Sequence, residues 1–404
     1  MTASADSPDI LGDPGKPVEG QAVGVACGAH ALHDGYTDLI YVMLPIWRHE
    51  FVLGYAALGL MKTVFSGTLA SFQIPSTFLA ERFGAPLVLA LGTALAGFGY
   101  CLAGLSQGVP LLVAALFIGG LGASVQHPLA SSLIAQVFAG PRSLKALGTY
   151  NFAGDIGKMT VPAVASLMFV VLPWREALAM LGGVGLLVGT VIFVLMPRLP
   201  AVTADKHASG DAARGVGAPR YGFPLLLSVG VIDSATRMAF LTFLPFVLTA
   251  KGASLPTVGM ALTLVFAGGA AGKLVCAFIG ARIGAVATVW LTEAMTALGI
   301  VGLLPLPLDA ALALLPVVGV ALNGTSSVLY GSVPDLVAPE WRQRAFGVFY
   351  TGTIGAGAVS PALYGLLGDA LGVTPTLMVV SAVVLATLPI TLALRPALTA
   401  ARLS

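Results

Sequence analysis

Twelve apolar runs, each near the length that crosses a bilayer as a helix, dominate the 404-residue chain. A hydrocarbon core needs about 20 apolar residues per helix. Turn and charge clusters divide the chain into runs at 22–47, 54–79, 86–106, 110–134, 144–171, 174–196, 221–249, 256–280, 286–306, 309–330, 343–367 and 373–394. Charged residues make up only 9% of the chain and hydrophobic residues 57%, whereas a soluble domain carries roughly 25% charged residues. Strand-period alternation is absent, so the expected class is an all-α polytopic membrane protein rather than a barrel. The 50 glycines suit helices that pack closely in lipid.

The one long polar interval, 197–220, divides the runs six and six. The expected organisation is a disordered cytoplasmic tail over 1–20, a six-helix bundle over 21–197, a cytoplasmic linker over 198–220 and a second bundle over 221–404. With both termini in the cytoplasm, the cytoplasmic loops carry Arg82, Arg142, Lys145, Arg282, Arg342 and Arg344 among others. The opposite side carries only Arg48, Arg175 and Lys251. That asymmetry obeys the positive-inside rule and supports the orientation; the expected location is a bacterial-type inner membrane. Cys27, Cys101 and Cys276 sit in apolar runs without metal or redox spacing and read as packing residues.

A shift of 199 or 200 residues lays the second half on the first. Asp34 meets Asp233, Pro45 meets Pro245, Arg82 meets Arg282, Gly84 meets Gly284, Ala146 meets Ala345, Gly148 meets Gly347 and Pro162 meets Pro361. A duplicated six-helix unit enclosing a midplane site is a transporter architecture. No phosphate-cradling Gly-rich loop and no Ser-His-Asp order stands out, so an enzyme or an ATP-driven pump is not expected.

The twelve-span plan and the loops "TFLAERFG" and "AFIGARIG" resemble the major facilitator superfamily, whose loop pattern is Gly-x-x-x-Asp-Arg-x-Gly. Arg82, Gly84, Arg282 and Gly284 match it, while Glu81 replaces the Asp. "GAHALHDGYTDLIY", "GASVQHPLASSLIA" and "LGTYNFAGDIGKMTVP" resemble the fosmidomycin resistance branch, proton-coupled drug exporters with His and Asp in span one and His-Pro in span four. His30, Asp34, His127 and Pro128 fill those positions; His33, Asp155 and Lys158 depart from the branch. The resemblance implies two pseudo-symmetric bundles, a cavity lined by spans one, four, seven and ten, and gating roles for Glu81, Arg82 and Arg282.

Charges inside spans are costly and therefore functional candidates. His30, His33, Asp34 and Asp38 recur at helical spacing on span one, and with His127 they are the expected proton-coupling set. Imidazoles ordinarily titrate near pH 6.5, within reach of a physiological gradient. Lys62, Gln126, Asn151, Asp155, Lys158, Asp233, Arg237, Asn323, Tyr330 and Tyr350 are the expected substrate-binding set, the cations suiting an anionic or amphipathic small molecule. Lys273 and Glu293, near the cytoplasmic ends of adjacent spans, are expected to form a structural pair. The reading is a monomeric, proton-driven secondary transporter, most simply an antiporter that exports drugs or metabolites. It needs no cofactor beyond the proton gradient and has no partner but lipid and its substrate, nucleic acid being excluded. Two alternatives stand beside it. One is a divalent-metal carrier using His30, His33, Asp34 and Asp38; the other is a non-transporting membrane receptor of the same fold.

Overall fold

The computed structural model describes residues 16–138, 141–197, 221–338 and 341–403. They form α1 (Lys16–Phe51), α2 (Tyr55–Phe83), α3 (Ala85–Gly104), α4 (Val109–Ala123), α5 (Gln126–Val137), α6 (Pro141–Val171) and α7 (Trp174–Leu195) in the first half. The second half holds α8 (Gly222–Ala250), α9 (Leu255–Ile283), α10 (Ala285–Leu303), α11 (Leu308–Ser332), α12 (Arg342–Leu371), α13 (Val373–Leu385) and α14 (Thr387–Leu403). Two pairs are single rods broken by proline. Pro128 has no N–H to give the Ser124 carbonyl, and the chain turns at Ser124 and Val125 between α4 and α5. Pro389 does the same to Leu385, where α13 ends. Among the described residues the result is twelve rods. Ten are long and apolar enough to cross a membrane; α1 and α2, of 36 and 29 residues, are long enough but carry polar side chains through their middles.

The repeat in the sequence appears in the backbone. Gly84 and Gly284 end α2 and α9 at φ +89° and +86°, a conformation that strains any residue with a Cβ, which is why both copies of the loop keep glycine. Pro45 and Pro245 lie inside α1 and α8, and Pro162 and Pro361 inside α6 and α12.

The halves meet along α1 with α8, α2 with α12, and α6 with α9. The last two crossings are related by the repeat, each setting a glycine against a proline-bearing helix. A Cβ on Gly59 would fall 2.0 Å from the Pro361 carbonyl oxygen, and one on Gly259 would fall 2.1 Å from Ser166 Oγ and 3.2 Å from the Pro162 oxygen. Backbones this close gain dispersion contact that lipid cannot supply. At the same end Asp369 accepts hydrogen bonds from the backbone N–H groups of Tyr55 (2.6 Å) and Ala56 (3.0 Å), capping α2 from the other half. Arg48 stacks 4.4 Å over the Tyr55 ring. One end of the molecule is thus sealed between the halves, the end bearing Arg48 and Lys251.

Two features depart from expectation. Helix α1 starts at Lys16, and Glu19 is buried in an ion pair with Arg142 of α6, so residues 16–20 belong to the bundle rather than to a tail. Residues 1–15 and the expected linker 198–220 lie outside the described residues.

Because a methyl at Gly59 meets backbone, Gly59→Ala is expected to lower stability by about 1–3 kcal/mol. Gly67→Ala on the same helix, where a Cβ has nothing within 4 Å, should change it by less than about 0.5 kcal/mol. Thermal unfolding in detergent checks both.

Candidate functional site

The stripe on α1 is buried: His30, His33, Asp34 and Asp38 are all at most 7% exposed. Asp34 is its centre. Its Oδ1 faces Nε2 of His30 at 3.4 Å, of His33 at 3.8 Å and of His127 at 3.9 Å, while its Oδ2 holds Lys158 Nζ at 3.3 Å. The Pro128 break is what brings His127 to the first turn of α5, facing α1.

His30 is fixed by Tyr150 of α6. Its Nδ1 lies 2.8 Å from the Tyr150 carbonyl and its ring stacks on the Tyr150 ring at 3.9 Å. A carbonyl only accepts, so Nδ1 carries the hydrogen, and Nε2 turns toward Asp34 with no hydrogen-bond partner of its own. A bare nitrogen lone pair against a carboxylate oxygen is repulsive. A proton on either side of that contact would make it attractive.

From Asp34 the charges run on to the other half. Lys158 also lies 4.0 Å from Asp155, and Asp155 takes Lys273 Nζ of α9 on both oxygens, at 2.6 and 2.8 Å. The series Asp34, Lys158, Asp155, Lys273 alternates in sign and, with neutral imidazoles, sums to zero. It is reachable at three points: the side chains of His127, Lys158 and Lys273 are 33%, 30% and 41% exposed. Arg237 of α8 is buried at its Nε, which has no hydrogen-bond partner.

Several expected residues lie apart from this network. Lys62, only 1% exposed, donates to the Thr37 carbonyl at 2.7 Å and sits 4.5 Å over the Tyr41 ring, closed inside the first half and away from any substrate. Asp38 forms no ion pair within 4.0 Å among the described residues. Eight residues past His30, it is displaced about 12 Å along the helix and turned by about 80°. Lys273 does not pair with Glu293, because α9 presents it to Asp155 of α6 across the halves; Glu293 is buried with its Oε1 unpartnered. Gln126 is buried with its Nε2 unpartnered, and its backbone oxygen accepts from the Tyr150 hydroxyl at 3.4 Å. Asn151 is exposed, and Asn323 bonds back to the Gly319 carbonyl. Tyr330 packs on Phe349 and Tyr350, supplying hydroxyls to the second half's wall. Glu81, Arg82 and Arg282 are exposed and make no ion pair among the described residues.

The metal alternative changes shape. His30, Asp34 and His127 place ligand atoms within 4.8 Å of one another, so His127 and not Asp38 would complete such a set. Lys158 already neutralises the second oxygen of Asp34. A divalent ion there would add two uncompensated charges to a buried, balanced network. Sequence reasoning missed Tyr150 as the clamp on His30 and Asp369 as the cap of α2; Tyr150 sits five residues before Asp155 on the same helix, but nothing local marks its carbonyl as a receptor.

Two mirrored six-rod halves sealed at one end, with a polar network between them, define a membrane transporter. The sequence profile of the Major Facilitator Superfamily matches residues 26–232 and 225–402, and the chain belongs to that family. It is 27% identical over 382 residues to the probable sulfoacetate transporter of Cupriavidus necator, covering 87% of each chain. It is 23% identical over 356 residues to the fosmidomycin resistance protein of Escherichia coli, covering 84% of each. Among solved structures, a bacterial homologue of the human lysosomal transporter Spinster in an inward-facing, unoccupied conformation superposes with TM-score 0.74 at 16% identity, covering 96% of this chain and 98% of the other. The nucleoside transporter NupG superposes at 0.77 with 14% identity, covering 93% and 99%.

If Asp155 and Lys273 tie the halves together, a double-mutant cycle with Asp155→Asn and Lys273→Gln in thermal unfolding should return a coupling of about 0.5–3 kcal/mol. The pair Glu81→Gln and Lys273→Gln should be additive.

Proposed function

We propose that this protein is a proton-coupled secondary transporter for small organic anions, working by alternating access with both termini in the cytoplasm. The observation that carries the reading is the reachable ammonium of Lys158, held by Asp34, whose other oxygen faces three imidazoles. A proton arriving at the His30, His33, His127 and Asp34 group weakens the hold of Asp34 on Lys158. The freed ammonium then meets the acid group of a substrate, and Lys273 and Arg237 offer further positive charge. Names of relatives agree with this chemistry: one is called a probable sulfoacetate transporter and another a probable L-galactonate transporter.

The sign of coupling follows from charge balance. A neutral network accepts an anion at least cost when a proton enters with it, because each compensates the other in a low-dielectric site. Proton and anion therefore bind cooperatively and travel together, and an inward proton gradient drives uptake. The exchange expected of a drug exporter would instead require proton and substrate to compete for the network. In the proposed orientation the sealed end, with Arg48 and Lys251, faces outward, and the structure is inward-facing.

Titration of purified protein with sulfoacetate, other small organic anions and zinc at two pH values tests the reading. Binding of an anion that tightens as pH falls and weakens at least about tenfold in Lys158→Gln, a loss of about 1.4 kcal/mol, is the expected result. Zinc binding that survives Lys158→Gln and disappears in His127→Ala, with no anion binding, would replace it with the metal reading.

A further inference from the structure

The face of α6 turned to His30 and Asp34 is built from residues four apart, which lie on one side of a helix. Tyr150 gives His30 its carbonyl and its ring, and Lys158 reaches the Asp34 carboxylate. Between them, about one turn from each, stands the buried Gly154. Its contribution lies in the side chain it lacks. A Cβ on Gly154 would fall 2.6 Å from Asp34 Oδ2, 2.7 Å from His30 Cε1 and 2.9 Å from His30 Nε2. Cβ atoms do not approach other heavy atoms closer than 3.0 Å, so the carboxylate and the imidazole occupy the place where any other residue would put its first side-chain carbon.

Two neighbouring glycines have a different duty. A Cβ on Gly157 would fall 1.8 Å from the Ala31 carbonyl oxygen, and one on Gly35 would fall 2.3 Å from Val161 Cγ2 and 2.9 Å from the Gly157 oxygen. These two let α1 and α6 cross closely, and helix packing accounts for them. Around Gly154, by contrast, the three nearest atoms all belong to the ends of two side chains of the site. Such ends move at little cost, and alanine is a better helix former than glycine. A methyl at 154 is therefore tolerated by the fold and felt by the site.

The position of Asp34 sets its hold on its partners. Its Oδ1 faces three imidazoles, while its Oδ2 lies between Lys158 and the backbone of Gly154. At 3.3 Å the Lys158 contact is longer than the roughly 2.7–2.9 Å of a tight charge-assisted bond, whereas Lys273 meets Asp155 at 2.6 and 2.8 Å. Moving Oδ2 alters its distance from Lys158 and from His30 together. The titratable groups around Asp34 are His30 and His33 of α1, His127 of α5, and Tyr150 and Lys158 of α6. Lys62 of α2 is turned to the Thr37 carbonyl, Lys273 of α9 to Asp155, and α7 carries its charges, Arg175 and Glu176, in its first turn. Asp233 and Arg237 of α8 make no ion pair with Asp34 among the described residues. A substitution at 154 removes none of these groups, so a changed pH profile would report their position.

We propose that Gly154 is a positioning residue, which seats Asp34 and His30 against α6 at the separation from Lys158 that links proton binding to anion binding. The link rests on the organic-anion reading; the need for glycine at the seat stands without it.

Gly154→Ala in the purified full chain tests the proposal, beside Gly157→Ala and beside Gly148→Ala on the same helix, where a Cβ has nothing within 4 Å. Nitrogen-15 NMR of histidine-labelled protein reads the seat. The ring signals of His30, assigned by their loss in His30→Gln, should shift in Gly154→Ala and stay in place in Gly148→Ala. Unshifted signals in Gly154→Ala would overturn the seat. So would a fall in thermal stability as large as that of Gly157→Ala, which marks a packing glycine. Sulfoacetate binding at two pH values supplies the second readout. Gly154→Ala should weaken it about tenfold at the lower pH, within the span of ordinary coupling energies, and flatten its pH dependence. Uniformly weaker binding with the wild-type pH dependence would overturn the link. If no anion binds the wild type at either pH, the transport reading fails, while the His30 signals still decide the seat.

Discussion

The site depends on one buried carboxylate with too many neighbours. Asp34 sits where three imidazoles and an ammonium converge, and a carboxylate so far from water is tolerable only while its neighbours carry enough positive charge. Proton and lysine are alternative suppliers of that charge. In the proposed mechanism the arrival of one releases the other, which would convert a proton gradient into access to Lys158. The rest of the fold serves this exchange: the Pro128 break delivers His127, the Tyr150 carbonyl orients His30, and the stacked glycine crossings hold the other end shut while the network is exposed.

The two halves solve the same problem differently. Their backbones repeat closely, down to Gly84 and Gly284 and to the glycine-on-proline crossings of α2 with α12 and α9 with α6. The side chains diverge four residues, about one helical turn, after the shared acid. Asp38 in the first half corresponds to Arg237 in the second, so one half surrounds its acid with histidines and a lysine from a neighbouring helix, whereas the other sets an arginine one turn beyond its acid. A duplicated scaffold thus supplies two acids at equivalent depth in unlike surroundings.

Much of the architecture was legible because the bilayer leaves few choices. Apolar run length marked the rods, and the repeat follows from identities at a nearly constant shift. The stripe of His30, His33 and Asp34 was legible for the same reason, since helical period alone puts them on one face. What failed required knowledge of helix rotation and of contacts between halves. Proximity to the ends of adjacent spans suggested Lys273 with Glu293, yet α9 turns Lys273 to Asp155 of α6. Asp38 looked equivalent to Asp34, but eight residues carry it out of reach of the imidazoles. Lys62, with no partner nearby in sequence, looked available, and a backbone carbonyl with two aromatic rings encloses it.

The central claim is that proton and anion move together. Reconstituting the protein in liposomes, imposing an alkaline interior with no membrane potential, and following labelled sulfoacetate tests it most directly. Accumulation inside above the external concentration, collapsing when the pH gradient is dissipated, is the predicted result. Expulsion of preloaded sulfoacetate by a gradient of protons directed inward would contradict it, because that outcome requires proton and substrate to exchange.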